Sequence, residues 1–137
     1  MGALKYRIVD GAGEMELEQV IRLLGQTYWA DTRPREQVAA SMENSHCYGV
    51  VLEEGETLAG FARVISDFAT TYYLCDVVID AAYRHNGLGT ALVSYIETLP
   101  LYRGLRGVLI TRDAHALYEK FGYETLNGRA MVKGLNC

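Results

Sequence analysis

The chain has 137 residues, of which 50% are hydrophobic and 22% are charged, and its formal net charge is −4. This length and composition predict one globular domain over residues 1–137 and are unlike those of disordered chains. The acidic balance and the lack of any Lys/Arg run argue against a nucleic-acid partner, because such binding requires clustered positive charge.

The sequence also argues against a membrane protein and a metalloprotein. No apolar run reaches the ~18 residues that a membrane span needs, and residues 1–9 lack the charged-then-apolar order of a signal peptide. Cys47, Cys75 and Cys137 are widely spaced and form no C-x-x-C pair, so neither a disulfide framework nor a zinc site is predicted. We therefore expect a cytoplasmic protein with reduced thiols, no membrane association and no bound metal.

The first half of the chain predicts a strand, two helices and a β-hairpin. Apolar residues at helical spacing favour the first helix, and Pro34 is typical of the first turn of the second. The polar turn at residues 53–56 contains Gly55 and joins two strand-like runs. The predicted bounds are 4–9 for the strand, 14–28 and 34–42 for the helices, and 46–52 and 57–65 for the hairpin strands.

The second half predicts strands that alternate with helices. Residues 70–79 are almost continuously apolar, which favours a strand covered on both faces at the centre of a sheet. The remaining predicted elements are a helix over 87–98, a strand over 107–111, a helix over 114–121 and a closing strand over 129–133. This order predicts an α+β fold, with helices on both faces of one mixed sheet.

A glycine-bearing loop from Arg84 to Thr90 lies between the predicted central strand and the helix that follows it. Unpaired N–H groups and the dipole at a helix start attract an anion, and glycines let a phosphate approach the backbone. Leu92 occupies the place of the third glycine of a dinucleotide fingerprint, and no P-loop lysine follows. The loop favours a pyrophosphate held without metal, although a plain tight turn gives the same pattern.

Two motifs resemble the signatures of the GNAT family of N-acetyltransferases. Arg84-His85-Asn86-Gly87-Leu88-Gly89 is similar to the family pattern Q/R-x-x-G-x-G/A. The segment from Ala114 to Tyr123 resembles the second signature, in which an alanine and a tyrosine four apart precede a glycine and an aromatic residue. The resemblance implies a sheet whose fourth and fifth strands splay apart to admit the pantetheine arm of acetyl-coenzyme A (acetyl-CoA).

The same resemblance implies which residues hold the cofactor. Val77, Val78 and Ile79 would line the pantetheine arm, with backbone hydrogen bonds from Val77 and Ile79. The pyrophosphate would be held by Arg84, His85, Asn86, Gly87, Leu88, Gly89 and Thr90. The family often has a glycine and a basic residue where His85 and Asn86 stand, which implies weaker phosphate binding here. It commonly has an asparagine where Thr111 stands, so one contact with the cofactor is not implied for this chain.

Acetyl transfer to an amine requires a deprotonated amine and a proton for the departing thiolate. By resemblance Tyr118 supplies that proton, and a phenol with a pKa near 10 is a suitable donor; its alternative role is that of a core tyrosine. Asp76 interrupts an apolar strand, where a carboxylate must find a partner or face the cleft. It is a candidate for recognising or deprotonating the amine, and equally for a structural pair with Arg63 or Arg84.

The acceptor wall is implied by resemblance to include a helical segment that carries Tyr28, Trp29 and Arg33, which suit an amine bearing a carboxylate or a flat group. Tyr72 and Tyr73 point to opposite faces of their strand, and Tyr73 is preferred for the cleft. We expect a small-molecule amine as the substrate and a homodimer as a possible assembly.

Three further functions compete with this hypothesis. The first is a non-catalytic acyl-CoA-binding or regulatory domain of the same fold. The second is a purely structural or interaction domain, which would bind no coenzyme A. The third is a thiol hydrolase in which Cys75 is the nucleophile, His115 the base and Asp113 the residue that orients the base.

Overall fold

The computed structural model describes residues 4–134. Within these residues the strands are β1 (Tyr6–Asp10), β2 (His46–Leu52), β3 (Leu58–Ser66), β4 (Thr71–Ile79) and β5 (Arg106–Val108). The α-helices are α1 (Leu17–Leu24), α2 (Arg35–Glu43), α3 (Leu88–Glu97) and α4 (His115–Glu119). Short 3-10 turns occupy Ala12–Glu14, Ala81–Tyr83 and Pro100–Tyr102.

The five strands form one sheet in the order β1-β2-β3-β4-β5. The first three pairings are antiparallel, and β4 pairs with β5 in parallel. This last pairing extends only over Thr71–Tyr73 of β4, opposite Arg106–Val108 of β5. Beyond Tyr73, β4 continues to Ile79 without a described strand on that side, so the two strands splay apart as predicted. β3, rather than the predicted β4, is the middle strand of the sheet.

Helices cover both faces of the sheet, which confirms the predicted α+β class. On one face, α1 and α2 contribute Val20, Leu23, Leu24, Val38 and Met42 to a core that includes Phe61 and Val78. On the other face, α3 and α4 contribute Leu88, Leu92, Val93, Ile96 and Tyr118 to a core that includes Tyr72 and Leu74. The amphipathic pattern of each helix is satisfied by burial of its apolar side against the sheet.

A β-bulge in β4 interrupts its pairing with β3. Phe61 pairs with Val78 and Arg63 pairs with Cys75, so that Asp76 and Val77 lie opposite Ala62 alone. Asp76 has a left-handed backbone, with a φ of 54°. The bulge turns the Asp76 side chain toward the face that α1 and α2 cover.

Two predicted elements differ from the structure. The closing strand predicted over residues 129–133 is absent from the described chain, where these residues are irregular and exposed. Three apolar residues between Arg129 and Lys133 bury too little surface to fix a strand. The first helix ends at Leu24 and not near Tyr28, so the predicted acceptor residues Tyr28, Trp29 and Arg33 lie in the loop between α1 and α2.

Candidate functional site

The loop that joins β4 to α3 presents free backbone donors. His85 and Gly87 both have left-handed backbones, with φ values of 67° and 78°, and Gly87 caps the start of α3. The first intrahelical bond of α3 runs from Ala91 N to Gly87 O over 3.0 Å. The preceding N–H groups therefore have no acceptor within the helix, as is usual for a first turn that binds an anion. They belong to Leu88, Gly89 and Thr90.

The space beside these donors is open. A Cβ atom added at Gly87 would meet nothing within 4 Å, and one added at Gly89 would lie 3.6 Å from Ile79 Cγ1. The side chains of Arg84 and Asn86 bond within the loop: Arg84 Nε donates to Ile79 O over 3.2 Å, and Asn86 Nδ2 donates to Tyr83 O over 3.0 Å. A pyrophosphate group therefore fits against the backbone of this loop.

Backbone groups of β4 face the splay between β4 and β5. Asp80 N–H donates to Ala59 O over 2.8 Å, so Asp80 and Val78 direct their backbone groups toward β3. In an antiparallel pair the intervening groups point the other way, so the carbonyl of Val77 and the N–H of Ile79 face the open edge, where the carbonyl of Ile79 accepts from Arg84 Nε. Val78, also predicted to line the pantetheine arm, does not face the open edge. Its side chain is buried beneath α1, and its backbone pairs with β3.

Asp80 fixes the start of the glycine loop. Its carboxylate accepts hydrogen bonds from Arg22 Nη1 (2.7 Å), Gln26 Nε2 (3.3 Å) and Ala82 N–H (3.0 Å). Burial opposes ionisation of Asp80, but these hydrogen bonds outweigh it and lower its pKa. An ionised Asp80 thereby ties the end of β4 to α1.

Tyr118 lies on α4 and is buried. Burial raises the pKa of Tyr118 to about 12, and the negative charges of Glu97 and Asp113 contribute to this increase. The phenol therefore stays protonated at neutral pH, as a proton donor must. Tyr118 also lines a cavity of about 600 Å³ between β5, α4 and residues 121–130. The segment from Val108 to Thr111, which leaves the pairing with β4, also lines this cavity, whereas no residue of the Arg84–Thr90 loop does.

Asp76 is the centre of a buried charge cluster. Arg33 donates to both of its oxygens, from Nη1 over 2.7 Å and from Nη2 over 3.2 Å. Arg63 Nε donates to Oδ2 over 2.9 Å, and Trp29 Nε1 donates to Oδ1 over 3.0 Å. Burial raises the cost of ionising Asp76, but the two guanidinium groups outweigh it and lower its pKa. The structural pair with Arg63 is present, whereas Arg84 bonds elsewhere.

The structure brings most of the predicted acceptor residues together on the face of α1 and α2. Trp29 and Arg33 meet at Asp76, and the charges of Asp76 and both arginines act on Tyr73, whose pKa burial raises. Tyr28 is 55% exposed and packs edge-on against Trp29, with the ring centroids 5.0 Å apart. Tyr72 lies on the opposite face and is buried in the core with α3.

The thiol hydrolase arrangement is not assembled. Burial raises the pKa of the Cys75 thiol to about 11, so that little thiolate forms at neutral pH. Among residues 4–134 no hydrogen bond joins Cys75 to His115. Thr111 accepts the N–H of Ala114 over 3.0 Å and so supports the start of α4.

Sequence reasoning missed two residues near the site, Glu97 and Arg112. Glu97 accepts a hydrogen bond from Tyr123 Oη over 2.7 Å, and Arg112 lies against the Tyr28 ring. Glu97 ends an apolar helix, where a charged residue is ordinary, and Arg112 has no neighbour in the sequence that would indicate its contact. Only the folded chain brings these groups together.

No helix within residues 4–134 combines the length and the apolar character needed to cross a bilayer. The same residues contain no cluster of three or more His, Cys, Asp or Glu side chains arranged to bind a metal ion.

Comparisons with known proteins agree on one family. The model of the acetyltransferase (GNAT) family matches residues 16–123. A crystal structure from Xanthomonas campestris pv. campestris, described as an acetyltransferase of the GNAT family, is 32% identical in sequence. The match covers 92% of this chain and 89% of that chain, with a TM-score of 0.84.

More distant relatives show both similarity and a difference in length. Histone acetyltransferase TAP1 of Glycine max is 26% identical over 135 residues, and the match covers 90% of this chain and 58% of that protein. The chain thus spans little more than half the length of this curated relative. The structure of aminoglycoside N-acetyltransferase AAC(6')-Iy in complex with CoA is 14% identical, with a TM-score of 0.73 over 96% of each chain, and shows a shared fold.

The family model covers most of the chain, and the Xanthomonas protein is similar in both sequence and structure. The chain belongs to the GNAT family of acetyltransferases.

Proposed function

We propose that this chain is an N-acetyltransferase that transfers an acetyl group from acetyl-CoA to a primary amine of a small molecule. GNAT proteins generally bind acetyl-CoA, and one structural neighbour is a complex with CoA. The observation that carries the proposal is the splay of β4 from β5 beside the free N–H groups at the start of α3.

The residues of this chain have separate roles at the cofactor site. The N–H groups of Leu88, Gly89 and Thr90 hold the pyrophosphate, together with the left-handed backbone at His85 and Gly87. The backbone groups of Val77 and Ile79 face the splay and pair with the pantetheine arm as a neighbouring strand would. Acetyl-CoA supplies the acetyl thioester when it is bound.

Tyr118 is the proposed general acid. Its Oη–H bond breaks as the sulfur leaves with the electron pair of the C–S bond, and the proton forms the free thiol. The amine nitrogen forms the new bond to the acetyl carbon and releases one proton. That proton restores the Tyr118 phenol directly or through water. Burial, which holds the pKa of Tyr118 near 12, keeps the donor protonated between turnovers.

The acceptor amine is proposed to enter on the face of α1 and α2. Asp76 fixes Arg33 and Trp29 there through hydrogen bonds to both of its oxygens, and Tyr73 and Tyr28 complete the wall. Direct deprotonation of the amine by Asp76 stays a prediction. The two arginines stabilise its anionic form, which makes it a weak base and favours a role in binding and orienting the amine.

Thermal unfolding with and without acetyl-CoA tests the cofactor site. A ligand at about 100 times its Kd stabilises the folded state by about 2.7 kcal/mol, which should raise the Tm clearly. Gly89→Ala should weaken this rise while the free protein keeps its Tm, because a Cβ there makes only ordinary contact with Ile79. Gly87 is a poorer probe, since its positive φ would strain any side chain. Gly13→Ala, where a Cβ meets nothing, is the matched control.

Thiol release with a panel of amines then tests catalysis. The panel includes an arylalkylamine, a polyamine, an aminoglycoside and a histone-tail peptide, since one relative is a histone acetyltransferase. Turnover with a small amine, lost in Tyr118→Phe, supports the proposal. A Tm rise without thiol release from any amine favours the non-catalytic acyl-CoA-binding domain. No Tm rise at saturating acetyl-CoA contradicts both functions.

We also propose that two copies associate through β5 and the segment that follows α4, and that the protein is cytoplasmic. Exposed apolar side chains lie in these segments, at Val108, Ile110, Leu126, Met131 and Val132. Such a patch is typical of an interface. The free thiols of Cys47 and Cys75 fit a reducing compartment. Sedimentation equilibrium should give a dimer that Ile110→Lys converts to a monomer; a monomeric wild type contradicts the assembly.

A further inference from the structure

Glu97, the last residue of α3, joins two tyrosines from different parts of the chain. Its Oε1 accepts a hydrogen bond from Tyr72 Oη of β4, and its Oε2 accepts one from Tyr123 Oη over 2.7 Å. Tyr123 follows α4, so this carboxylate connects the sheet, α3 and the turn that ends α4. Hydrogen bonds to an ionised acceptor are about twice as strong as neutral ones.

Gly107 of β5 provides the space in which these groups meet. A Cβ atom at this position would lie 2.6 Å from Tyr123 Oη and 2.7 Å from Tyr72 Oη. Neither hydroxyl can stay in place beside a larger residue. The two hydroxyls thus lie close to the backbone of β5 and donate to the carboxylate of Glu97.

Tyr123, which Glu97 holds through its hydroxyl, is in direct contact with Tyr118. Tyr123 N–H donates to Tyr118 O over 3.3 Å, and the two rings form an edge-to-face pair with centroids 6.0 Å apart. Helix α4 has only five residues. A helix this short is marginal by itself, so tertiary contacts determine its orientation. Among these contacts, the hydrogen bond from Tyr123 to Glu97 fixes the turn immediately after Tyr118.

We propose that Glu97 is the positioning residue for Tyr118: by holding Tyr123, it sets the direction in which the Tyr118 hydroxyl points toward the leaving thiolate. The inference rests on the proposed role of Tyr118 as the general acid. The negative charge of Glu97 also acts on Tyr118. It is the largest cause of the raised pKa of Tyr118 after burial. Both effects keep the proton on Tyr118 until the thiolate forms.

Steady-state kinetics of Glu97→Gln and Tyr123→Phe test the proposal. Each change should lower kcat about tenfold, which is less than the 10²- to 10⁴-fold that a general acid itself contributes, because the acid is misplaced and not removed. KM for acetyl-CoA should change less than twofold, because neither residue lies in the Arg84–Thr90 loop. Glu119→Gln is the matched control: it removes an exposed carboxylate from α4 itself, one residue from Tyr118, and should leave kcat unchanged.

The same two changes made in Tyr118→Phe separate positioning from general structural damage. If Glu97 acts through Tyr118, Glu97→Gln should have little further effect on the residual kcat of Tyr118→Phe, so that the two changes are strongly non-additive. Additive losses, or a lower kcat that appears equally in Glu119→Gln, overturn the proposal. A wild type that releases no thiol would instead overturn the proposed function.

A readout without turnover completes the test. In protein labelled with ¹³C at tyrosine Cζ, the Tyr118 resonance is identified by its loss in Tyr118→Phe. In Glu97→Gln this resonance should shift and should begin to titrate at lower pH than in the wild type, because a nearby negative charge is lost. An unchanged Tyr118 resonance in Glu97→Gln overturns the proposal even if kcat falls.

Discussion

The guanidinium carbon of Arg112 lies 3.9 Å from the centroid of the Tyr28 ring. Arg112 follows β5 in the splayed region, and Tyr28 lies in the loop between α1 and α2. This contact joins the two sides of the splay on the face where the acceptor is proposed to enter. Because Tyr28 also packs on Trp29, which bonds to Asp76, a continuous set of contacts runs from the β4 bulge to the loop after β5.

Arg112→Gln is expected to affect acceptor binding more than stability. An exposed cation–π pair contributes about 0.5–1 kcal/mol, which corresponds to a KM for the amine raised about two- to fivefold. The Tm should change little, because Arg112 is exposed. Arg129→Gln, at another exposed arginine, is the control. Equal KM values in the two variants would argue against a role for Arg112 in acceptor entry.

Asp76→Asn should destabilise the protein strongly. Loss of one partner of a buried ion pair costs about 3–5 kcal/mol, because the remaining charges of Arg33 and Arg63 stay buried. Urea unfolding at pH 7 measures this loss. Glu56→Gln removes the carboxylate from an exposed pair with Arg7 and should have little effect. Similar unfolding midpoints for the two variants would contradict the importance of the buried cluster.

The same cluster has a pH signature. The folded-state pKa of Asp76 is lowered below its unfolded value of about 3.9. Its stabilising contribution is therefore complete above about pH 4 and is lost as the pH falls toward the folded-state pKa. The difference in stability between wild type and Asp76→Asn should narrow over this acid range. A difference that is constant from pH 7 to pH 3 would be inconsistent with an ionised Asp76.

Gly107→Ala should lower the Tm although it adds only one methyl group. The new Cβ would displace the hydroxyls of Tyr72 and Tyr123, and overpacking of this kind costs about 1–3 kcal/mol. Gly13→Ala is a matched control, since a Cβ at that glycine meets nothing within 4 Å. Thermal melts of the two variants decide the point: an unchanged Tm in Gly107→Ala would mean that the tyrosines relax without cost.

The thiols of Cys47 and Cys75 should be unreactive in the folded protein. Burial raises the pKa of each to about 11, which leaves almost no thiolate at pH 8. In a Cys137→Ser background, a disulfide reagent such as DTNB should modify neither thiol at pH 8 until urea is added. Rapid labelling without urea would show that one of these strands opens readily.

The sequence predicts the elements that bury apolar residues with a clear period. β2 is predicted at its observed bounds, and α3 within one residue at each end, because alternation and helical spacing are local properties. The closing strand is not formed because residues 129–133 have no neighbouring strand to pair with in the described chain. A strand is stable only when it pairs with a neighbouring strand, and the local sequence does not show whether such a neighbour is present.

The site is predictable only in part, for a related reason. The glycine loop and Tyr118 lie in motifs, so the sequence alone is enough to propose them as site residues. The partners of Asp76 depend on a bulge at which Asp76 itself has a positive φ. No glycine stands beside it in the sequence to indicate such a bulge. The contact of Arg112 with Tyr28 and that of Glu97 with Tyr123 join residues far apart in the chain, which only tertiary packing brings together.

The short pairing of β5 with β4 also determines where the molecule should open first. Only three residue pairs tie β5 to the sheet, whereas β2 and β3 are paired along most of their length. In amide hydrogen exchange, the β5 amides should exchange by local opening while those of β2 and β3 exchange only on global unfolding. The helix that carries Tyr118 follows β5 and has only five residues, so we expect it to open together with β5. A ligand that fills the splay would then slow exchange in β5 and α4, and so order the segment that carries the proposed acid.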